Sequence, residues 1–226
     1  MSAGAQQRLM SELKGLEKEK WVNIELDNGS LFKWNVGLIV VNSESAFDGA
    51  YFKAQMVFTD KYPFEPPSFR FLQPIYHPNI YADGKLCISI LHTPGEDAQS
   101  GELASERWSP LQGAESVLRS ILLLLDDPEI SSPANVDAGV MYRDKRAEYN
   151  EKAAETVVAS KKNIPDGFIM PTSLETAPPK EIPDDEDFWA QSEEENDFGA
   201  SDSDEDFDMD EDEEEGEGED EEESED

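Results

Sequence analysis

Hydrophobic and polar residues alternate along this chain with two periods, and their order predicts the elements. Leu9, Met10, Leu13 and Leu16 recur at helical spacing. Arg8, Glu12, Lys14 and Glu17 fall on the opposite face, so the chain opens with an amphipathic helix ending between Gly15 and Lys20. Val22, Ile24 and Leu26 then alternate with Asn23 and Glu25, the two-residue period of a half-buried strand. Asp27-Asn28-Gly29-Ser30 supplies turn chemistry, with Gly tolerating positive φ. A second strand follows over residues 31–41, then a polar loop through Asp48-Gly49. In a third strand Phe52, Ala54, Met56 and Phe58 share one face and Lys53 and Gln55 the other, while Phe69 and Phe71 mark a fourth. Strands joined by short turns predict an antiparallel meander, not βαβ units.

The second half reads as helical. Val117, Leu118, Ile121, Leu122, Leu124 and Leu125 make a helix apolar on most sides and therefore buried. Asp126-Asp127-Pro128 stops it, since the residue before proline disfavours the helical region. Asn135 is placed to cap a helix holding Val136, Val140 and Met141. Tyr149, Ala153 and Val157 lie on a final helix that ends at Asn163-Ile164-Pro165-Asp166-Gly167. The fold class is α+β: a four-stranded antiparallel meander with one helix before it and several after. The expected organisation is a domain over residues 1–165, a proline-rich linker over 166–183 and a tail over 184–226. Phe168, Ile169 and Met170 are apolar enough for the linker to lie partly against the domain.

Charge changes this picture only at the C-terminal end. The net charge is −35, and residues 181–226 hold 28 Asp and Glu and no Lys or Arg. Self-repulsion and scarce apolar area predict a disordered acidic tail. Such a tail argues against nucleic acid and for a basic protein partner. No apolar run reaches the length of a membrane span, and the N-terminus lacks a signal-peptide pattern, so a soluble intracellular protein is expected. One cysteine excludes an internal disulfide, and one Cys with two His cannot close a zinc site, so no metal is expected.

That cysteine, Cys87, sits in His77-Pro78-Asn79-Ile80-Tyr81-Ala82-Asp83-Gly84-Lys85-Leu86-Cys87. A thiol is a strong nucleophile at neutral pH, and a nearby amide such as Asn79 can donate to an oxyanion formed on a carbonyl. Acyl transfer through a thioester is the chemistry this pattern implies; the plainer alternative for a lone Cys is a small buried hydrophobe. No base is placed beside Cys87 by the sequence. Between His92 and Trp108 runs an aperiodic segment containing Glu96, Asp97, Glu102 and Glu106. Long structureless loops inside compact domains are usually functional or disordered. Tyr62-Pro63-Phe64-Glu65-Pro66-Pro67 is a rigid crossover that cannot pair as a strand.

His-Pro-Asn, the Asn79-to-Cys87 spacing, the preceding Tyr-Pro-Phe-Glu-Pro-Pro and the following Trp108-Ser109-Pro110 together resemble the ubiquitin-conjugating enzymes. The likeness covers roughly residues 6–162 and is nearest to the acid-tailed cell-division-cycle type that works with cullin-RING ligases. It implies the ubiquitin-conjugating fold, loading of ubiquitin onto Cys87 by an activating enzyme, and transfer to substrate or ubiquitin lysines. It implies no cofactor, ATP being consumed upstream, and a location in cytoplasm and nucleus. His77 becomes a structural residue, and Asn79 an oxyanion donor or a loop clamp. Ser89, Ser132 and Asp137 line the gateway to the thioester. Shorter relatives carry Asp where this chain has Ser89 and Ser132, which leaves the group deprotonating the acceptor lysine open between Asp137 and the acidic loop. Ser132 and Asn135 also read as helix caps.

Partners implied by the resemblance are ubiquitin, the activating enzyme, and the RING subunit and cullin of a ligase. The first helix would face activating enzyme and ligase. Phe64, with Pro110 and Leu111 on a second loop, would anchor the RING. The acidic loop would draw in the acceptor lysine, and the tail would dock on a basic cullin groove. Two other readings are a carrier for another ubiquitin-like modifier and a non-catalytic, acid-tailed interaction protein.

Overall fold

The computed structural model describes residues 3–95 and 102–172. Helix α1 (Ala3–Leu16) leads into strands β1 (Val22–Leu26), β2 (Lys33–Ile39), β3 (Tyr51–Val57) and β4 (Ser68–Phe71). They form one antiparallel sheet in the order β1-β2-β3-β4, the meander read from the alternation. Helices α2 (Ala114–Asp126), α3 (Val136–Asp144) and α4 (Arg146–Ser160) follow. Short 3₁₀ turns cover Asp27–Gly29, Ser89–Leu91 and Lys161–Asn163.

Register explains the core. Trp34, Val36 and Leu38 pair across β3 with Met56, Ala54 and Phe52, and Ala54 and Met56 pair in turn with Phe71 and Phe69 of β4. Every second residue therefore points to one face, where these side chains join Leu9 and Leu16 of α1, Val117, Leu118 and Ile121 of α2, and Tyr149 of α4 in one buried cluster. The opposite face carries Asn35, Gln55 and Arg70 in cross-strand register. It also holds Tyr51, whose ring lies over Gly37: a Cβ there would come within 2.0 Å of the hydroxyl. Phe168 packs edge-on against Tyr51 at 5.6 Å, so the linker does return to the domain there.

Several boundaries differ from the sequence reading. β2 is shorter than residues 31–41 and β3 stops one residue short of Phe58, although the Phe58 N–H still bonds the Phe32 carbonyl just beyond the named strands. Met10 was expected on the apolar face of α1 but is 51% exposed, the buried stripe being Ala5, Leu9 and Leu16. Ile169 is 88% exposed, so apolar character did not bring all three linker residues inward. On α2, Leu122 and Leu124 are half-buried and Leu123 exposed, so burial is one-sided. Asn135 caps α3 as read, its Oδ1 accepting the Ala138 N–H at 3.1 Å.

Glu12 fixes α1. Its carboxylate accepts the Tyr62 hydroxyl at 2.8 Å and the Ala114 N–H at 2.8 Å, and it pairs with Arg8. One α1 side chain thus caps α2 and holds the start of the proline-rich crossover.

Candidate active site

Cys87 is positioned by a tight return of the chain after β4. Gly84 has φ +85°, and a Cβ at that position would lie 2.1 Å from the Phe71 carbonyl, so only glycine fits. The Asp83-Gly84 turn then folds back: Gly84 N–H bonds Tyr81 O, Tyr81 N–H bonds Lys85 O, and Cys87 N–H bonds Asn79 O, each at 2.9 Å. Asn79 and Cys87 are opposite partners in this return, which is why their spacing in sequence matters. Cys87 is a free thiol and half-buried.

Asn79 is 1% exposed. Its Nδ2 donates to the Glu129 carbonyl at 2.7 Å, which fixes the amide orientation and ties the cysteine-bearing return to the segment after α2. In this arrangement the amide acts as a clamp between two loops. His77 is fully buried, and its Nδ1 accepts the Asn79 N–H at 3.1 Å. A ring that accepts at Nδ1 carries its proton at Nε2. Burial drives its pKa down to about 4, although the nearby Leu124 and Leu125 carbonyls act in the opposite direction. His77 is thus neutral near pH 7 and braces the loop.

Cys87 lines a cleft of about 580 Å³ with Asn79, Ser89, Ser132, Glu102 and Glu106. Of the predicted gateway residues, Ser89 and Ser132 reach this cleft; Asp137 does not, being exposed on the first turn of α3. The Ser89 hydroxyl donates to Glu102 Oε1 at 3.0 Å, and His92 Nδ1 bonds Glu102 Oε2 at 2.8 Å. Arg107 Nε lies 3.3 Å from the same oxygen. Partial burial works to raise the Glu102 pKa, but the His92 and Ser89 hydrogen bonds outweigh it and hold the carboxyl below its ordinary range. Glu96, Asp97 and the acidic tail lie outside the described residues.

Phe64, Pro110 and Leu111 are all at the surface, Phe64 being 71% and Leu111 94% exposed. Their loops are tied together by Trp108, whose indole N–H donates to the Pro63 carbonyl at 2.7 Å. The same residue's amide N–H bonds His92 O at 3.1 Å, so both loops also connect to the rim of the cleft. Sequence reasoning had no role for His92 or Glu129. His92 could have been flagged as one of only two histidines and as a close neighbour of the thiol; the Glu129 contact uses a backbone carbonyl, which no residue type announces.

The chain belongs to the ubiquitin-conjugating enzyme family, whose model matches residues 8–157. It is 54% identical over 152 residues to ubiquitin-conjugating enzyme E2-34 kDa of Saccharomyces cerevisiae, covering 67% of this chain and 51% of that protein. The matched part thus spans about half the length of the yeast relative. Ubiquitin-conjugating enzyme E2 7 of Arabidopsis thaliana is 41% identical over 160 residues, covering 70% of this chain and 96% of the relative. Ubiquitin-conjugating enzyme E2 G2 of Bos taurus is 40% identical over 163 residues, covering 71% and 98%.

Proposed function

We propose that this chain accepts ubiquitin from an activating enzyme as a thioester on Cys87 and passes it to a lysine amine. The observation carrying this reading is a half-buried free thiol on a cleft, held by backbone to a clamped Asn79, in a chain of this family. In loading, the Cys87 sulfur attacks the activating enzyme's thioester carbonyl and that enzyme's thiol leaves. In transfer, the acceptor amine attacks the carbonyl on Cys87, an isopeptide bond forms, and the sulfur departs as the thiolate. Both steps are acyl exchanges, so the chain itself needs neither metal nor cofactor; ATP is spent upstream.

The polar roles divide by placement. The Nδ2 bond to Glu129 supports Asn79 as the loop clamp, and burial supports His77 as structural. Ser89, Ser132, Glu102 and Glu106 border the path of the amine, while Asp137 would act on it only from outside the cleft. The exposed Phe64, Pro110 and Leu111 form a pre-organised tip suited to a RING domain, since proline-flanked aromatics lose little entropy on docking. We assign the acidic tail to a basic cullin groove, which would make association fast and salt-sensitive. The reducing demand of a working thiol fits cytoplasm and nucleus.

Incubation with activating enzyme, ATP and ubiquitin tests the proposal. The expected product is an adduct one ubiquitin heavier that thiols release, replaced in Cys87→Ser by a thiol-resistant oxyester. No thiol-labile adduct would sink the reading. Discharge to free lysine from charged Asn79→Ala should slow while loading of Cys87 stays largely intact, because the clamp to the Glu129 carbonyl is lost; an unchanged rate removes Asn79 from transfer.

A further inference from the structure

We infer that Asp126, the last residue of α2, is a positioning residue for the transfer step: held by the β2–β3 loop, it fixes the Glu129 carbonyl and so the clamp on Asn79. This rests on the thioester reading above and adds to it the residue that sets where one wall of the cleft stands relative to Cys87.

By local rules the residue is out of place. Asp126 and Asp127 end α2 with no Lys or Arg in the last turn, so two carboxylates meet the negative end of the helix dipole. Such a conflict is tolerated where the group serves another purpose. Here it serves as a tie. Asn42 Nδ2 donates to Asp126 Oδ2 at 2.9 Å, and the Ser45 hydroxyl donates to Oδ1. Each carboxylate oxygen thus takes a donor from the loop that joins β2 to β3.

That loop is itself fixed. Asn42 N–H bonds Asp48 Oδ1, Asn42 Oδ1 accepts the Glu44 N–H, and Ser45 Oγ accepts the Phe47 N–H, each at 3.1 Å. With its oxygen engaged, the Asn42 amide must turn its nitrogen to Asp126. Phe47 is fully buried and its ring lies 6.0 Å from that of His77, so the loop is also plugged into the core beneath the cysteine-bearing return. On the other side of Asp126 the connection is short and stiff. Asp127 N–H bonds Leu123 O at 2.9 Å, Pro128 is buried, and the next carbonyl, of Glu129, receives Asn79 Nδ2 at 2.7 Å. Leu124, Glu129 and Ser132 line the cleft with Cys87. A shift of the α2 end would therefore move this wall and the acceptor of Asn79 together. Asp126 is not on the cleft and touches neither amine nor sulfur; it acts through Glu129.

The test uses the full chain, charged at Cys87 with ubiquitin, discharging in single turnover to free lysine across lysine concentrations. Asp126→Ala should lower the maximal rate about tenfold, short of the roughly 100-fold that a misplacement of about 1 Å can cost, with the KM for lysine near the parent's. Asp126→Asn keeps an acceptor for Ser45 and should lose less; Asn42→Ala, which removes the other arm from an exposed position, should behave like it. The double variant Asp126→Ala, Asn79→Ala should lose less than the product of the single effects, because both act through one clamp. The Asn79 side-chain amide resonances should shift in Asp126→Ala and in Asn42→Ala. Parent-like maximal rates in these two variants overturn the inference. So do a full product in the double variant, or unmoved Asn79 resonances. Should Asp126→Ala not fold, Asn42→Ala decides by the same readings. A parent chain that forms no thiol-labile adduct sinks the thioester reading and this inference with it, whereas parent-like variants sink the inference alone.

Discussion

The chain has two histidines, one upstream and one downstream of Cys87, and they are held by opposite means. His77 is wholly buried, neutral, and bonded through Nδ1 to the backbone of Asn79. His92 is partly exposed and bonded through Nδ1 to a carboxylate. The same ring is an acceptor in the first place and a donor in the second. A histidine sealed among apolar groups becomes part of the framework, because charging it there is costly. A histidine at a rim beside an acid can hold a loop while solvent and substrate still reach its neighbours.

The largest test of that contrast is acid. The folded His77 pKa, pushed to about 4, lies below its ordinary value of 6.5, so the unfolded chain binds the extra proton between these values. Stability should therefore rise with pH from about 4 to about 6.5, this group contributing on the order of 3 kcal/mol at the upper end. Urea midpoints across that range in the parent and in His77→Gln check it; an equal slope in both removes His77 as the cause. Next in size, Asn79→Ala leaves the Glu129 carbonyl without its donor and should cost about 1–3 kcal/mol in the same assay.

The Glu102 contacts on the other side should matter less to folding. Glu102→Gln is expected to cost under about 1 kcal/mol, since the pair is partly exposed and screened. The folded Glu102 pKa is depressed, so its contribution is present above the ordinary carboxylate range and lost as pH falls through the folded value. In Glu102→Gln that acid-side loss should vanish while the His77 slope persists. Smallest of all, Phe64→Ala has no bond to either histidine and should leave stability within about 0.5 kcal/mol. Its effect belongs to ligase-stimulated discharge, which should fall, and a parent-like ligase response would remove Phe64 from docking.

The sequence made the sheet legible because alternation is strong where one face is buried: Phe52, Ala54 and Met56 against Lys53 and Gln55 admit one register. The cysteine's surroundings were legible through Asp83-Gly84, a turn that sets Asn79 opposite Cys87. Met10 and Ile169 were misread because apolar character is a one-way rule; such residues are often left in solvent. The Glu102 cluster was not legible at all. It joins residues across an aperiodic insertion, and nothing in spacing distinguishes a glutamate that bonds Ser89 and His92 from one that lines open space.

Trp108 lends its indole to Pro63 and its amide to His92. One position thus serves two neighbourhoods with separate demands, the exposed tip around Phe64 and the turn that follows Cys87. What can be tolerated at residue 108 is set by the stricter of the two. Changes to the tip, made to probe the proposed ligase docking, should therefore begin with Phe64 or Leu111, whose side chains stand in solvent, and leave Trp108 unchanged.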